Sequence, residues 1–600
     1  ICWSLVGSEM CIRDRQVLNP SQHRNVIVSA QWGTIIAFCA LTILPLGYAI
    51  FRLTDVTGMT VFSSIENFFS DDDTLTALEF TLLEASISTL FTLLIGLPIA
   101  WYLGRYKWRN IRLIRATLSV PFVTPSIIVA MGFLMLIDPG GLLDSIGIDL
   151  RLETGVIGDM ARVTGWENPG HFIALIAAHV WFNLSLVMRF IEPTLATLDR
   201  TWEEQIRFLP AGRNKILRIK NLWLPLLAPA ALCSACLCFI FSFSSFALVK
   251  WLTPNQDNLE TLMAKSGGSA GIYNYRIDTS EVVLSTSMVQ LLILSIAIIY
   301  TARVQKKHST IHSIVTENSH QVANKSPDKL ALVTVIGAIT YAVLPLILVL
   351  ISSIRIRDAR SNDHYYSFDA WIEAWNGSYS ATAIPDALTN SLIYCITTLI
   401  VALPVGYMIS STIARLEGEN KQNTARFVEF LSMIPLALSA VMIGLGILIG
   451  VLKWAPDLFS WAILPAVPHI IITTPFVVRI MLPAIRSLEP QYHEQAMLLG
   501  LSPAKAWWHG RIALLRAPII VSAALTMAFS LGEFGASWIL VRSGSWDSLS
   551  VLVDQLMGRP KFDPLIQPMA MAAAATLMFL TFILFLIAER FRHTDEGSGF

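Results

Sequence analysis

The sequence predicts an all-α integral membrane protein with about twelve transmembrane helices in two parallel six-helix repeats. Three observations lead to this fold class. The 600 residues are 54% hydrophobic and only 14% charged, with a mean hydropathy of +0.59. Long apolar runs recur along the chain, and the second half repeats motifs of the first. Soluble proteins carry about 25% charged residues, so this chain requires a lipid environment.

Composition also limits the partners. The formal net charge is zero, which offers no electrostatic footprint for a nucleic acid. The seven cysteines lack metal-type spacing, so no metal site is predicted. Residues 1–15 resemble translated adapter read-through and are assigned to an adapter-derived or disordered N-terminus. Residues 593–600 form a short tail.

The apolar runs set the order of the predicted spans, because a helix needs about 20 apolar residues to cross the hydrocarbon core. The first six candidates lie near 30–51, 77–103, 115–137, 171–192, 224–249 and 282–302. The next six lie near 330–353, 387–412, 428–452, 459–483, 514–541 and 569–589. The weakest candidate is 459–483, since it contains four prolines.

Charge predicts which loops face the cytoplasm. Four segments are basic and fall in alternate loops: 105–115, 200–220, 303–308 and 505–516. The positive-inside rule places them, and both termini, in the cytoplasm. The loop 354–386 is an exception, since its arginines fall on the outer side. It is long and also acidic, so it does not reverse the predicted topology.

The chain is a tandem repeat. Four pairs of segments align: 179–199 with 469–489, 241–247 with 529–536, 96–105 with 402–411, and 119–132 with 433–446. Six spans per repeat restore the same orientation, so the repeats are parallel. We therefore predict a first domain over 16–303, a cytoplasmic linker over 304–329 and a second domain over 330–592.

Each repeat contains a charged loop with the same order of signals, over 202–229 and 492–518. The downstream loop has Glu494-Gln495-Ala496, then Gly500, and the upstream loop has Glu204-Gln205. A short amphipathic helix of this kind can dock into a groove of a partner subunit, and the glycine ends the helix. We expect Gly500 to adopt a backbone geometry that a side chain would strain.

These loops resemble the EAA loop of ATP-binding-cassette (ABC) importer permeases, whose pattern is Glu-Ala-Ala, three residues, Gly, then Ile-x-Leu-Pro. The upstream copy departs from it, because Pro210 holds the glycine position and Gly212 follows two residues later. We therefore expect the upstream helix to end differently. The alternative for both loops is an ordinary interfacial helix bound to lipid headgroups.

The resemblance extends over both halves and implies a permease subunit of a bacterial plasma (inner) membrane importer, not an enzyme. It implies two ABC ATPase subunits at the loops and an extracytoplasmic substrate-binding protein. The sequence has no phosphate-binding loop, so ATP and Mg would bind the partner ATPase. This chain itself would bind no cofactor. Fusion of both halves resembles the thiamine permeases, which are favoured, and then the ferric-iron permeases. A secondary transporter with two parallel halves is the alternative.

Two carboxylates are candidate pathway residues. Glu533 lies between Gly532 and Gly535 in the eleventh span, and Glu84 lies in the second. A charge inside a membrane costs about 2.5–3.5 kcal/mol and usually faces a cavity or a partner. A pathway carboxylate would suit a cationic substrate. The alternative is that Glu533 bonds another helix while the glycines permit close packing. His179 and His469 are interpreted as buried structural histidines.

Overall fold

The chain is described by a computed structural model that covers residues 20–138, 141–150, 155–164, 169–197, 200–269, 277–317, 326–358, 363–380, 382–488, 491–541, 546–560 and 562–592. The predicted N-terminal segment 1–15 and the tail 593–600 lie outside these residues.

The first half is built from fourteen helices in the described residues. They are α1 (Pro20–Thr57), α2 (Val61–Phe68), α3 (Asp72–Arg105), α4 (Ile111–Val123), α5 (Ser126–Ile137), α6 (Leu142–Ser145), α7 (Gly155–Thr164), α8 (Pro169–Thr197), α9 (Arg200–Phe208), α10 (Lys215–Arg218), α11 (Leu224–Phe243), α12 (Ala247–Leu252), α13 (Leu259–Ser269) and α14 (Ile277–Glu317).

The second half repeats this plan and adds a two-stranded antiparallel hairpin of β1 (Arg355–Arg357) and β2 (His364–Tyr366). Its helices are α15 (Lys329–Ser352), α16 (Asp369–Asn376), α17 (Ile384–Gly418), α18 (Gln422–Met433), α19 (Ala440–Trp454), α20 (Ala466–Arg486), α21 (Gln491–Leu498), α22 (Pro503–Trp507), α23 (Arg516–Gly532), α24 (Gly535–Leu540), α25 (Leu549–Met557) and α26 (Ile566–Arg592). Short 3₁₀ segments cover Pro210–Gly212, Ile434–Ala437 and Pro456–Ser460, and π-helical segments cover Ile219–Trp223 and Trp508–Ile512.

The prediction of about twelve spans is confirmed. Among the described residues, ten helices are long and apolar enough to cross a membrane, and two further pairs of helices satisfy the same test as bent spans. The first pair is bent by 89° between α18 and α19, and the second by 77° between the segment 505–512 and α23. The fold is therefore an all-α membrane protein, with one short hairpin in the loop 354–386.

Four predicted spans are interrupted, at matching places in the two repeats. The third and ninth spans break at Thr124–Pro125 and just before Ala440. The fifth and eleventh break after Phe243 and after Gly532. The predicted start of the tenth span at 459 is wrong, because Pro456–Ser460 is a 3₁₀ segment and α20 begins only at residue 466. Proline accounts for part of this pattern, since it removes a backbone donor and disfavours a helical predecessor.

The first part of the predicted linker is helical. The helix α14 continues to Glu317, so residues 304–317 extend the sixth span as helix. Residues 318–325 lie outside the described residues. At the far end, the Asp328 carboxylate accepts a hydrogen bond from the Ala331 amide (2.8 Å), which caps α15 as its first turn begins.

The two halves interlock through their first helices. The helix α1 packs on α19 of the second half, and α15 packs on α5 of the first half. Glycines make both crossings close: a Cβ on Gly132 would lie 2.7 Å from the Pro345 carbonyl oxygen, and one on Gly446 would lie 3.3 Å from that of Pro45. The predicted domain boundaries therefore follow the repeat in sequence, while the packing exchanges one helix between the repeats.

Contacts also correct the repeat alignment in the second span. The sequence alignment pairs Gly96 with Ala402. In the structure, a Cβ on Gly96 would lie 2.7 Å from Val187, and one on Gly406 would lie 2.5 Å from Val477. Since the valines are equivalent in the aligned histidine segments, Gly96 corresponds to Gly406, one helical turn later.

The predicted topology can be tested by cysteine labelling in a cysteine-free background. We expect Ser326→Cys, in the exposed residues before α15, to react with a membrane-impermeant maleimide only after the cells are permeabilised, because the basic loops lie inside. Tyr366→Cys, at an exposed position of β2, should react in intact cells and serves as the control. Labelling of position 326 in intact cells would contradict the topology and the cytoplasmic termini.

Candidate functional site

The downstream loop forms a helix with a left-handed end. The helix α21 carries Glu494, Gln495 and Ala496, and Gly500 follows with φ +86°. The Gly500 amide donates to the Met497 carbonyl (3.0 Å), and the amide of residue 501 donates to that of Ala496 (3.2 Å). This pair of bonds is a Schellman ending, which requires a positive φ at the glycine. The expected geometry of Gly500 is confirmed.

The upstream loop ends its helix in a different way. Proline at 210 has no N–H to donate, so the bond made by the Gly500 amide has no counterpart. The chain instead forms the 3₁₀ segment Pro210–Gly212 after α9. Gly212 is buried there, and a Cβ on it would lie 2.0 Å from the Ile206 carbonyl oxygen. Each loop thus depends on one glycine. The downstream loop needs Gly500 for its positive φ, and the upstream loop needs Gly212 because a side chain there would have no space.

After these turns the two loops again have the same structure. The upstream loop passes through α10 and a π-helical segment, Ile219–Trp223, into α11. The downstream loop passes through α22 and a π-helical segment, Trp508–Ile512, towards α23. Single π-helical turns are rare in proteins and are frequent at functional sites. The same irregular turn at the same place in both repeats indicates a shared role.

Both loops expose apolar side chains at equivalent positions. The upstream pair at the end of α9 consists of Phe208, which is 89% exposed, and Leu209. The downstream pair consists of Leu498 and Leu499, which are 87% and 84% exposed. We call these four residues the apolar tips. Two amphipathic helices therefore present unpartnered apolar ends outside the membrane-spanning helices.

The other predicted loop residues lie around these tips. The side chains of Glu204, Gln205 and Gln495 are exposed, and Ala496 is buried at the base of the turn. The backbone of Glu494 lies in the first turn of α21. The arrangement brings the predicted residues of each loop onto one short helix and its end.

Glu533 lies at the break between α23 and α24, where its carboxylate is fully bonded. Its two oxygens accept hydrogen bonds from the Ala536 amide (2.7 Å) and the Ser537 amide (3.0 Å). The Ser537 hydroxyl donates a third bond (2.8 Å), and His469 Nε2 lies 3.1 Å from Oε2. Glu533 thereby replaces backbone bonds that the break leaves unmade.

The flanking glycines of this break permit close packing. A Cβ on Gly532 would lie 3.3 Å from Pro125, which stands at the break of the first half's third span. A Cβ on Gly535 would lie 3.3 Å from Ala440 at the start of α19. The geometry supports the hydrogen-bonding interpretation of Glu533 together with the close-packing role of its glycines.

Glu84 takes a similar place in the first half. Its side chain is fully buried in α3, and its Oε1 accepts a hydrogen bond from Asn258 Nδ2 (3.0 Å). His179 Nε2 lies 4.0 Å from its Oε2. Because His179 aligns with His469, each repeat sets a buried carboxylate against the equivalent imidazole. The carboxylates come from different helices, α3 in one repeat and the end of α23 in the other.

A second polar cluster, which sequence reasoning missed, joins the two halves. Phe246 and Phe534 hold equivalent positions and stack with ring centroids 5.4 Å apart. One turn beyond Phe246, the Lys250 ammonium lies 2.6 Å from the carboxylate of Asp554 in α25. The indole N–H groups of Trp251 and Trp538 donate to the same carboxylate. We call these six residues the cross-half cluster.

A sequence signal for this cluster existed. Lys250 in "FALVKWL" and Asp554 in "SVLVDQLM" are single charges within short apolar runs, a setting that predicts a partner. The pairing itself was not predictable, because the two residues lie in different repeats and 304 positions apart.

Part of the chain matches a described protein family. Residues 96–308 match the family described as binding-protein-dependent transport system inner membrane component, and they include the upstream loop. The chain is 23% identical over 224 residues to the sulfate transport system permease protein CysT of Salmonella typhimurium. The aligned region is 37% of this chain and 74% of the relative.

A second relative covers both repeats. The thiamine transport system permease protein ThiP of Haemophilus influenzae is 22% identical over 536 residues, which is 88% of this chain and 91% of the relative. The molybdenum transport system permease protein ModB of Azotobacter vinelandii is 27% identical over 182 residues, 30% of this chain and 74% of the relative. Residues 96–308 thus match the binding-protein-dependent family of inner membrane transport components, and over both repeats the chain is similar to a permease subunit of an importer.

Proposed function

We propose that this chain forms the translocation pathway of an ATP-driven importer, with an ATPase subunit at each loop and an extracytoplasmic binding protein on the other side. The observation that carries the ATPase assignment is the pair of matching loops, each with an exposed apolar tip and a π-helical turn into a span. The family assignment argues against the secondary-transporter alternative, which would need no such partners.

Docking at the loops follows from their exposed surface. Leu498 and Leu499 are exposed beside a helix end, in a loop predicted to be cytoplasmic. Burying one leucine in a partner's groove contributes about 1.5–3 kcal/mol, so a pair supports specific docking. A lipid headgroup surface would also accept apolar side chains, and for that reason the loops require a direct test of partner binding.

For the cargo we propose a small organic cation, with thiamine favoured. The observation that carries this is the coverage of the thiamine permease relative, which spans both repeats in one chain. A buried carboxylate on the pathway, such as Glu84, would suit a cation better than an anion such as sulfate.

We also propose that both termini lie in the cytoplasm. ATP and Mg would bind the ATPase subunits, and this chain would bind no cofactor.

Ferric iron is the second candidate cargo from the sequence, and its charge also suits a buried carboxylate. A direct uptake measurement separates it from thiamine.

The first test concerns the apolar tip downstream. We expect Leu498→Asp/Leu499→Asp to lower co-purification of the ATPase and to reduce transport at least about tenfold, because two docked apolar side chains are lost. The conservative variant Leu498→Ile/Leu499→Ile should behave like the parent, since it keeps the apolar surface. Equal ATPase binding and transport by the aspartate variant would assign the loop to the lipid interface.

The second test concerns the left-handed turn. Gly500→Val should reduce transport, with the spans still inserted, because a β-branched residue at φ +86° costs at least about 1 kcal/mol and distorts the helix end. Gly418→Val is the matched control, since that glycine has open space and no positive φ. ATP-dependent uptake in proteoliposomes is the measurement. If the two variants transport equally, the turn has no part in coupling.

The third test identifies the cargo. The chain, reconstituted in proteoliposomes with its ATPase and binding protein, should accumulate radiolabelled thiamine when ATP is supplied. An excess of sulfate should leave the uptake of thiamine unchanged, and ferric ions should not accumulate in place of thiamine. Accumulation of labelled sulfate or iron without thiamine accumulation would refute the thiamine assignment and keep the importer assignment.

A further inference from the structure

The cross-half cluster has the composition of a cation-binding site. Asp554 Oδ1 accepts hydrogen bonds from Lys250 Nζ (2.6 Å) and Trp251 Nε1 (2.9 Å). Its Oδ2 accepts from Lys250 Nζ (2.7 Å) and Trp538 Nε1 (3.0 Å). The ammonium also lies 4.4 Å from the centre of the Trp538 ring and 5.5 Å from that of Phe534. A carboxylate bordered by aromatic faces is the arrangement that proteins use for organic cations.

The members of this site are divided between the halves by charge. Asp554, Trp538 and Phe534 belong to the second half, through α25 and the segment around α24. Lys250 belongs to the first half, through α12. If the halves separate, the carboxylate and two aromatic rings stay together, while the ammonium leaves with Trp251 and Phe246 of the first half. The acceptor part of the site is therefore complete within one half.

Separation would leave the carboxylate without a counter-charge. The Asp554 side chain is only 9% exposed, while that of Lys250 is 22% exposed and sits at the end of a flexible stem. Removing one partner of a buried ion pair costs about 3–5 kcal/mol. A cation that enters as the lysine leaves would offset this cost, so its binding would favour the separated state.

The position of the cluster suits cargo entry. The helix α11 begins at the upstream loop, and α12 with Lys250 lies beyond its far end. In the proposed topology Lys250 therefore follows the extracytoplasmic end of α11. This is the side from which a cargo delivered by the binding protein enters the pathway.

We propose that Asp554 and Trp538 bind the cationic group of the cargo, and that Lys250 occupies this site as an internal substitute when the halves are closed. The inference rests on the proposed import of a small organic cation. It assigns recognition to the second half and makes Lys250 a competitor of the cargo.

Binding to the full chain in lipid nanodiscs tests this inference. Lys250→Met keeps the length of the stem and removes the competitor, so it should bind radiolabelled thiamine at least about tenfold more tightly than the parent. Lys250→Met/Asp554→Asn should lose this gain. Because the double variant removes both charges, it leaves no unpaired buried ion and should fold. Lys265→Met, which breaks the nearby Lys265–Asp257 pair (2.7 Å), should bind like the parent.

Tetramethylammonium separates this inference from the identity of the cargo. It should compete for the site in Lys250→Met and not in the double variant, since it carries only the cationic group. If tetramethylammonium binding depends on Asp554 while thiamine binding does not, the cation site holds and the thiamine assignment fails. If neither ligand distinguishes Lys250→Met from the double variant, and both variants elute as folded monodisperse protein, the inference is overturned.

Discussion

The structure depends on the requirement that every backbone break inside the bilayer be satisfied by protein groups. Water is absent from the hydrocarbon core, so an unmade N–H or C=O bond there costs several kcal/mol. Three of the four interrupted spans show such a substitute. Glu533 accepts amide bonds after the break in the eleventh span, Asn258 donates to the Ser245 carbonyl at the break in the fifth, and Ser439 caps α19 in the ninth. The breaks place non-helical backbone, and short redirected helices, between the two halves.

The repeats share geometry more closely than they share residues. A histidine of each repeat faces a buried carboxylate, but Glu84 comes from the second span and Glu533 from the end of a fifth-position span. The loops behave in the same way, since Gly500 and Gly212 end equivalent turns by different backbone routes. Pseudo-symmetry is thus retained where helices must pack and dock, while the chemical groups differ. This asymmetry allows one half to hold the cation acceptor and the other to hold its substitute.

Sequence reasoning predicted the features that repeat locally, and missed those set by distant packing. The span order, the two loops and the left-handed Gly500 follow from hydropathy, charge and glycine chemistry within short windows. The alignment of Gly96 with Ala402 was wrong by one turn, because a shared Leu-Pro pair dominates that stretch and only the valine contacts set the register. The contacts of Glu533 with His469, and of Lys250 with Asp554, depend on tertiary packing, which cannot be predicted from a single sequence.

The exchange of first helices has a consequence for biosynthesis. The helix α1 leaves the ribosome well before α19, because its packing surface on α19, at Gly446, is made about 400 residues later. The face of α1 that packs on α19 must therefore remain in lipid, or against a temporary neighbour, until most of the chain has been inserted. A single polypeptide keeps that helix tethered to its eventual partner during the wait. Fusion of the halves thus serves assembly as well as stoichiometry. Two separate chains would have to meet by diffusion in the membrane before they could exchange their first helices.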